Sequence, residues 1–461
     1  MLTNVKKILA SAAALLASLT GWSQTPAPTA VTHSDWSHNA VIYEVNLRQF
    51  TPEGTLQAFS RQLPRLKDLG ADILWFMPVH PISQDGRKGN LGSYYAVKDY
   101  KAINPEFGTL DDFRKVVDAA HKLGMKVIID WVPNHSGRDN AWVTAHPDWY
   151  ARNDRGEMYG PFDWTDVYKF DYSNPDMRAA MTDAMKFWLE KADIDGFRCD
   201  VAGQVPVTFW NECRPELEKV KKDIFMLAEA TEPELMEQAF DMAYNWPMKD
   251  LFSAIAATQG QYTFRGADGK VRTFPAAKAT DIYTLLDKQA AEYPAGAFMM
   301  NMITNHALNS WEGTEFERLG NLQQAFAVLT YTLPGMPLIY TGQEVGLDRA
   351  LQFFEKDTAP DWQSNRDITL FYQKLNALKH DYPELAAGLE NMQRLPTASD
   401  NVLAFRRGRV LTLVNLSNET AKIFAEGQAP APGKNVHNYF TGATTLPDTL
   451  APGEALIFVN D

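Results

Sequence analysis

The chain alternates short apolar runs with longer segments in which apolar residues recur at helical spacing. The short runs have the length and the content of β-branched and aromatic residues that buried strands require, and the segments between them predict amphipathic helices. Eight runs predict strands at residues 41–47, 73–77, 127–131, 196–199, 224–228, 240–244, 298–303 and 337–340. The predicted helices include residues 56–69, 110–123, 177–191, 207–221 and 319–332.

Eight β-units with helices between them are typical of an α/β protein with a (β/α)8 TIM barrel. A doubly wound open sheet is the alternative, but the number of units favours the barrel. Residues 135 to about 175 lack a strong helical pattern, and connections of that length are usually functional or form a small subdomain. We therefore predict a small insertion after strand 3.

The ends of the chain differ in pattern from the middle. Lys6 and Lys7 precede an apolar stretch at residues 8–19, which predicts a signal peptide at 1–23 and a periplasmic or secreted protein. A linker at 24–35 leads to the predicted barrel at 36–381. Alternating segments at 402–406, 409–416, 422–424 and 455–459 predict a C-terminal antiparallel β-sandwich domain at 382–461.

The composition of the chain excludes some classes of partner. The formal net charge of −13 argues against nucleic acid as a partner, because phosphate binding needs clustered Lys and Arg. No run after the predicted signal is long and apolar enough for membrane insertion. The chain has two cysteines, Cys199 and Cys213, which we interpret as free buried thiols rather than a disulfide.

Two carboxylates stand where predicted strands end. Asp200 follows the fourth run and Glu229 follows the fifth, and the strands of a barrel converge at one face, where active sites form. Cleavage of a glycosidic bond needs such a pair, about 5 Å apart in retaining enzymes. Arg198 lies two residues before Asp200, on the same side of the strand, and is expected to keep Asp200 ionised. Apolar neighbours of Glu229 favour its protonated form, as a general acid requires.

A second polar cluster, Asp130, Asn134 and His135, follows the third run. It can organise the floor of a site, or bind a cation through Asn134. A turn with satisfied hydrogen bonds is an equal alternative for Asp130 and Asn134. His135 is the better candidate for contact with a sugar.

Together these motifs resemble the four signature regions of the α-amylase family, glycoside hydrolase family 13. The motifs are the segments 130–135, 196–200, 227–229 and 304–307, joined by the stretches 92–100, 107–109 and 333–344. The resemblance covers residues 41 to about 459. It implies hydrolysis of α-1,4 bonds in starch or maltooligosaccharides through a covalent glycosyl–Asp200 intermediate.

The resemblance also implies a role for each matched residue. Asp200 would be the nucleophile, Glu229 the general acid/base and Arg198 the residue that orients Asp200. His135 and His306 would contact hydroxyls of the reacting sugar, on which Tyr95 would stack. Asn134 would be structural or a calcium ligand, as in family members that hold calcium, although the chemistry requires no cofactor.

The fourth motif departs from the family at Ala307, where the resemblance calls for a third catalytic Asp that grips two hydroxyls of the sugar. Losing one such contact costs about 10²–10³ in rate. We favour a single disabling substitution in an otherwise active enzyme, because Asp200, Glu229 and Arg198 are present. The alternatives are a non-catalytic maltooligosaccharide-binding protein and an α-glucan transglycosylase or isomerase.

Overall fold

The computed structural model describes residues 34–262, 272–386, 388, 392–429 and 435–460. Eight parallel strands close into a barrel in which each strand pairs with its neighbours in chain order. This confirms the predicted TIM barrel over the doubly wound sheet. The barrel strands are Ile42–Val45, Ile73–Phe76, Lys126–Trp131, Gly196–Cys199, Phe225–Ala228, Met242–Tyr244, Phe298–Asn301 and Met336–Tyr340. The predicted signal peptide and most of the linker lie outside the described residues.

Helices form a layer around the strands, and their apolar faces pack against the outward side chains of the barrel. Capping residues mark several of their starts, as where Thr109 and Asp112 form a capping box. The α-helices are Leu47–Phe50, Leu56–Ser60, Leu63–Leu69, Leu110–Lys122, Ala141–Ala145, Pro175–Ala192, Val207–Glu218, Trp246–Thr258, Asp281–Glu292, His306–Trp311, Glu315–Leu319, Gln323–Thr332 and Arg366–Asp381. None in the described part of the chain is long and apolar enough to cross a membrane.

At the N-terminal end of the barrel, three aspartates each connect two neighbouring strands by a hydrogen bond. Asp72, Asp195 and Asp241 each directly precede a barrel strand, the second, fourth and sixth. Each carboxylate accepts the backbone N–H of a residue at or near the start of the strand before it, at 2.8 Å. The donors are Val41, Val127 and Met226. These bonds fix the register at the end of the barrel opposite the predicted site.

Gly196 shows why a glycine opens the fourth strand. Its φ of 153° lies in the region that L side chains rarely adopt, and a Cβ there would meet the carbonyl oxygen of Phe225 at 1.9 Å. The glycine thus permits the fourth and fifth strands to approach. Those two strands carry the predicted carboxylate pair at their other ends.

The insertion after the third strand contains a two-stranded antiparallel sheet, His135–Gly137 with Val167–Lys169. Beyond the barrel, one antiparallel sheet has the order Gln393–Arg394, Val402–Arg407, Val410–Asn415, Ala455–Asn460 and Val436–Asn438. A second sheet pairs Ala421–Lys422 with Thr449–Leu450. The two sheets share an apolar core. Cys199 and Cys213 are free and buried, as expected.

Candidate active site

Most of the predicted site residues lie around one cavity at the C-terminal end of the barrel. Its volume is about 810 Å³, large enough for several sugar rings. The lining includes Tyr95, His135, Asp200, Glu229, His306 and Ala307, together with Lys88, Ser93, Phe162, Asp163, Trp164, Asp166, Val167, Val201, Arg272, Trp311, Phe353 and Phe354. The structure therefore brings together residues that are far apart in the sequence.

Arg198 joins three carboxylates beneath this cavity. The side chain is fully buried, and its Nη1 donates to Asp130 Oδ1 and to Asp200 Oδ1, each at 2.8 Å. Its Nη2 lies 2.8 Å from Glu229 Oε2, and its Nε donates to the hydroxyl of Tyr244 at 3.0 Å. The predicted carboxylate pair is thus held on one guanidinium. Asp130, for which a simple turn was an equal alternative, belongs to the same cluster.

The expectation that Arg198 keeps Asp200 ionised is wrong in its net effect. Burial and then the charge of Glu229 raise the pKa of Asp200 well above its usual range, and Arg198 only partly opposes them. Burial likewise raises the pKa of Asp130 to about 6, against the opposing charges of Arg198 and His306. The reason is that one guanidinium serves three carboxylates, so it cannot neutralise them all. The cluster therefore holds a proton more tightly than isolated carboxyl groups would.

A strained backbone contact positions Glu229. The backbone N–H of Val201 donates to Glu229 Oε2 at 2.9 Å. Val201 has a φ of 45°, which is unfavourable for a β-branched residue, and it directly follows Asp200. Strain of this kind is retained where the surrounding structure requires it, often at functional sites. The turn after the fourth strand thus links the two carboxylates through the backbone.

Tyr95 and His306 form one wall of the cavity. Their rings stack with centroids 5.4 Å apart and an interplanar angle of 23°. The Tyr95 hydroxyl donates to Asp130 Oδ2 at 2.9 Å and lies 2.8 Å from His306 Nε2. His306 Nδ1 in turn contacts Glu44, a buried acid of the first barrel strand. Glu44 is not among the site residues predicted from the sequence, although a charged residue within the apolar run 41–47 was a visible signal.

His135 and Asn134 stand where the third barrel strand leads into the insertion. Burial lowers the pKa of His135 to about 3, so its ring is neutral under ordinary conditions and packs edge-on against Trp164 at 5.2 Å. The Asn134 amide lies 3.5 Å from His135 Nδ1. Across the described ranges, His, Cys, Asp and Glu side chains nowhere gather in a group of three or more that could hold a metal.

Ala307 lies in the first turn of the helix His306–Trp311 and faces the cavity. The side chain of Asn305 caps this helix by accepting the backbone N–H of Leu308 at 2.8 Å. The cap and His306 are thus in place around a methyl group that offers no hydrogen bond. Residue 307 therefore lines the cavity, but alanine presents no polar group to it.

Aromatic side chains border the mouth of the cavity on two sides. Phe162 and Trp164 come from the insertion, with ring centroids 4.9 Å apart, and Phe162 is 68% exposed. On the other side, Trp311 is 47% exposed, and its ring centroid lies 5.2 Å from that of Phe353. Exposed aromatic rings at a cavity suit the apolar faces of sugars.

Comparisons with known proteins relate the chain to one family of enzymes. The model of the α-amylase catalytic domain matches residues 28–148 and 144–382. Alpha-amylase MalA of Haloarcula japonica is 27% identical over 391 residues, 81% of this chain and 54% of that protein. The maltogenic alpha-amylase of Bacillus acidopullulyticus is 28% identical over 400 residues, 76% of this chain and 64% of that protein. The chain thus spans between about half and two thirds of these relatives.

Solved structures extend the likeness over most of the chain. An alpha-amylase from Lactobacillus plantarum superposes with a TM-score of 0.77 at 29% identity, covering 91% of this chain and 98% of that one. A noncanonic maltogenic alpha-amylase from Thermotoga neapolitana gives 0.77 at 28% identity, covering 92% and 100%. Since the family model covers more than half of the chain, the protein belongs to the α-amylase family of glycoside hydrolases.

Proposed function

We propose that this protein is built as a retaining hydrolase of α-1,4-glucans, and that Ala307 leaves it strongly impaired. The observation that carries the proposal is the placement of Asp200 and Glu229 on one buried guanidinium beneath an aromatic-rimmed cavity. The names of similar proteins support the substrate class, since they include a maltogenic alpha-amylase and a cyclomaltodextrinase.

In the proposed reaction, Asp200 attacks the anomeric carbon while Glu229 protonates the leaving glycosidic oxygen. Water, deprotonated by Glu229, then cleaves the glycosyl–Asp200 bond and restores both carboxyl groups. This sequence needs Asp200 ionised and Glu229 protonated. The raised pKa of Asp200 opposes the first requirement, and the ion pair with Arg198 supports it. Tyr95, His135 and His306 would orient the sugar. The reaction as written uses no cofactor.

The decisive experiment compares the chain with its Ala307→Asp variant in reducing-sugar release from soluble starch and maltoheptaose. We expect the aspartate to raise the rate by about 10²–10³ or more, because it adds a preorganised contact to the transition state. Asp200→Asn, introduced into the Ala307→Asp chain, is the control and should abolish turnover. If the Ala307→Asp variant released no reducing sugar, the proposed hydrolase function would be contradicted.

A second candidate function is glycan binding without cleavage, which Ala307 itself favours. It predicts that both forms bind maltoheptaose in calorimetry and that neither releases sugar. Transglycosylation is a variant of the first proposal, because a sugar hydroxyl can replace water in the second step. Product analysis of the Ala307→Asp reaction by chromatography separates longer oligosaccharides from hydrolysis products.

We also propose that residues 1–23 direct secretion. The support is the placement of Lys6 and Lys7 before an apolar stretch too short to span a bilayer. N-terminal sequencing of the protein recovered from its producing cells should then begin at Gln24. A mature protein that retains Met1 would contradict this.

A further inference from the structure

Glu44 is a buried acid that the proposed reaction does not use. It lies in the middle of the first barrel strand, Ile42–Val45, and is fully buried. Side chains alternate along a strand, so Glu44 shares the inner side of the barrel with Ile42. A carboxylate costs much free energy in such surroundings unless a partner compensates it. Its presence there therefore calls for an explanation from its contacts.

The Glu44 carboxylate contacts residue 306 twice. Its Oε1 is hydrogen bonded to His306 Nδ1, and its Oε2 accepts the backbone N–H of His306 at 3.3 Å. The backbone of Glu44 is itself held, since Thr341 donates to its carbonyl oxygen through Oγ1 at 2.7 Å. An ionised carboxylate only accepts hydrogen bonds, so Nδ1 of His306 must carry a proton.

The other ring nitrogen of His306 meets a hydroxyl group with one proton to give. The Tyr95 hydroxyl lies 2.9 Å from Asp130 Oδ2 and 2.8 Å from His306 Nε2. The Tyr95 hydroxyl donates its one proton to Asp130 Oδ2. Nε2 must then donate to the Tyr95 oxygen. Both nitrogens of His306 are protonated in this arrangement, and the ring is an imidazolium.

From this proton count, we propose that Glu44 is a positioning residue that holds His306 as an imidazolium and thereby aims the Tyr95 hydroxyl at Asp130. The series Glu44–His306–Tyr95–Asp130 ends on Arg198, which holds Asp200 and Glu229. The charge on His306 compensates the buried acid at one end and faces the substrate cavity with the other. The catalytic consequence rests on the proposed function, whereas the protonation of His306 does not.

Many groups of this site are ionisable or charged, and they come from several barrel strands. Those on or next to the series, or linked to it through Arg198, are Glu44, Tyr95, Asp130, Arg198, Asp200, Glu229, Tyr244, His306 and Tyr340. Carboxylates outnumber cations among them, so a second proton on His306 is favoured by the whole set and not by Glu44 alone. Among these carboxylates, Glu44 contacts the His306 ring directly.

Neutron diffraction from crystals of the full chain at neutral pH tests the proton positions without any substitution. We expect deuterium on both ring nitrogens of His306 and a Tyr95 hydroxyl that points to Asp130 Oδ2. The proposal would be overturned if Nε2 carried no deuterium and accepted the hydrogen bond of Tyr95, with the additional deuterium on Asp130. This measurement does not depend on whether the protein cleaves glucans.

The catalytic consequence is tested by Glu44→Gln in the Ala307→Asp chain. A neutral amide cannot hold the imidazolium charge, so kcat should fall about tenfold to a hundredfold, with little change in KM. Neutron diffraction of this variant should show deuterium on one ring nitrogen of His306 and not on both. The Ala307→Asp chain with Glu44 intact should keep deuterium on both.

Glu344→Gln is a matched control. Glu344 is also fully buried, but it pairs with Arg65 and Tyr43 rather than with His306. It should lower stability without altering kcat or the protons on His306. If the two glutamine variants behave alike, Glu44 is merely structural and the proposal fails. If Ala307→Asp is inactive, the proposed function fails, and the neutron measurement still decides the state of His306.

Discussion

At the scale of single residues, the site is built at the expense of stability. Burial and the charge of Glu229 raise the pKa of Asp200, so the folded chain holds this proton more tightly than the unfolded chain does. The stability that this proton provides is complete below the unfolded pKa of about 3.9, and it is lost as pH rises towards the folded pKa. Asp200 therefore weakens the fold at neutral pH. A group selected for reactivity is expected to have this cost.

We predict that Asp200→Asn stabilises the protein at pH 7 by about 1 kcal/mol or more, because the amide keeps the bond to Arg198 without the buried charge. The gain in stability should shrink as pH falls. It should disappear below about pH 4, where Asp200 is protonated in both the folded and the unfolded chain. Urea unfolding at a series of pH values measures it. A loss of stability at pH 7 would show that Arg198 stabilises ionised Asp200 after all.

At the scale of elements, the fourth barrel strand has an aspartate at each end, and the two have opposite effects. Asp195 precedes Gly196–Cys199 and Asp200 follows it. Burial raises the pKa of Asp195, but His121 at 2.6 Å and Lys221 at 3.1 Å outweigh it, and on balance the pKa is lowered. Active sites of such barrels form at the C-terminal ends of the strands, and the opposite end serves stability.

We therefore predict that Asp195→Asn destabilises the protein at pH 7, by about 2–3 kcal/mol, since hydrogen bonds between charged groups are weakened. A lowered pKa means that this contribution is present above about pH 4 and is lost as pH falls below it. The measurement is again urea unfolding against pH. Asp183→Asn is the control, because Asp183 pairs with Lys101 on the surface and should contribute less than about 1 kcal/mol.

The elements also show what the sequence could predict. Buried strands have continuous apolar runs, so all eight barrel strands were found, with ends shifted by a few residues. The predicted helix at 56–69 is two helices, Leu56–Ser60 and Leu63–Leu69, and Pro64 stands in the first turn of the second. Trp246–Thr258 and Arg366–Asp381 were not identified. The hydrogen bond between Glu44 and His306 could not be predicted, because it forms only when the barrel closes and brings its first and last strands together.

At the scale of the whole molecule, a buried arginine joins the barrel to the C-terminal sheets. Arg407 ends the strand Val402–Arg407, and its Nη1 donates to the carbonyl oxygens of Leu333 at 3.2 Å and Leu385 at 3.1 Å. Lys379 donates to the same Leu385 oxygen at 2.6 Å and to Gly335 at 2.9 Å. The sequence predicts two structural units here. It does not predict these hydrogen bonds, because every residue has a backbone carbonyl group and the pattern of side chains does not show which ones accept.

Arg407, which is fully buried at the end of its strand, should therefore be important for stability. Burial lowers its pKa to about 10, so it remains a cation at neutral pH. Arg407→Ala leaves buried carbonyl groups without this donor, and we predict a loss of about 3 kcal/mol in the free energy of unfolding. Arg409 is the matched comparison, because it pairs with Glu384 nearby but is 47% exposed, and Arg409→Ala should cost less than about 1 kcal/mol. Urea unfolding of both variants decides the matter. Equal losses would mean that the junction depends on surface ion pairs and apolar contacts rather than on a cation that binds the backbone of both units.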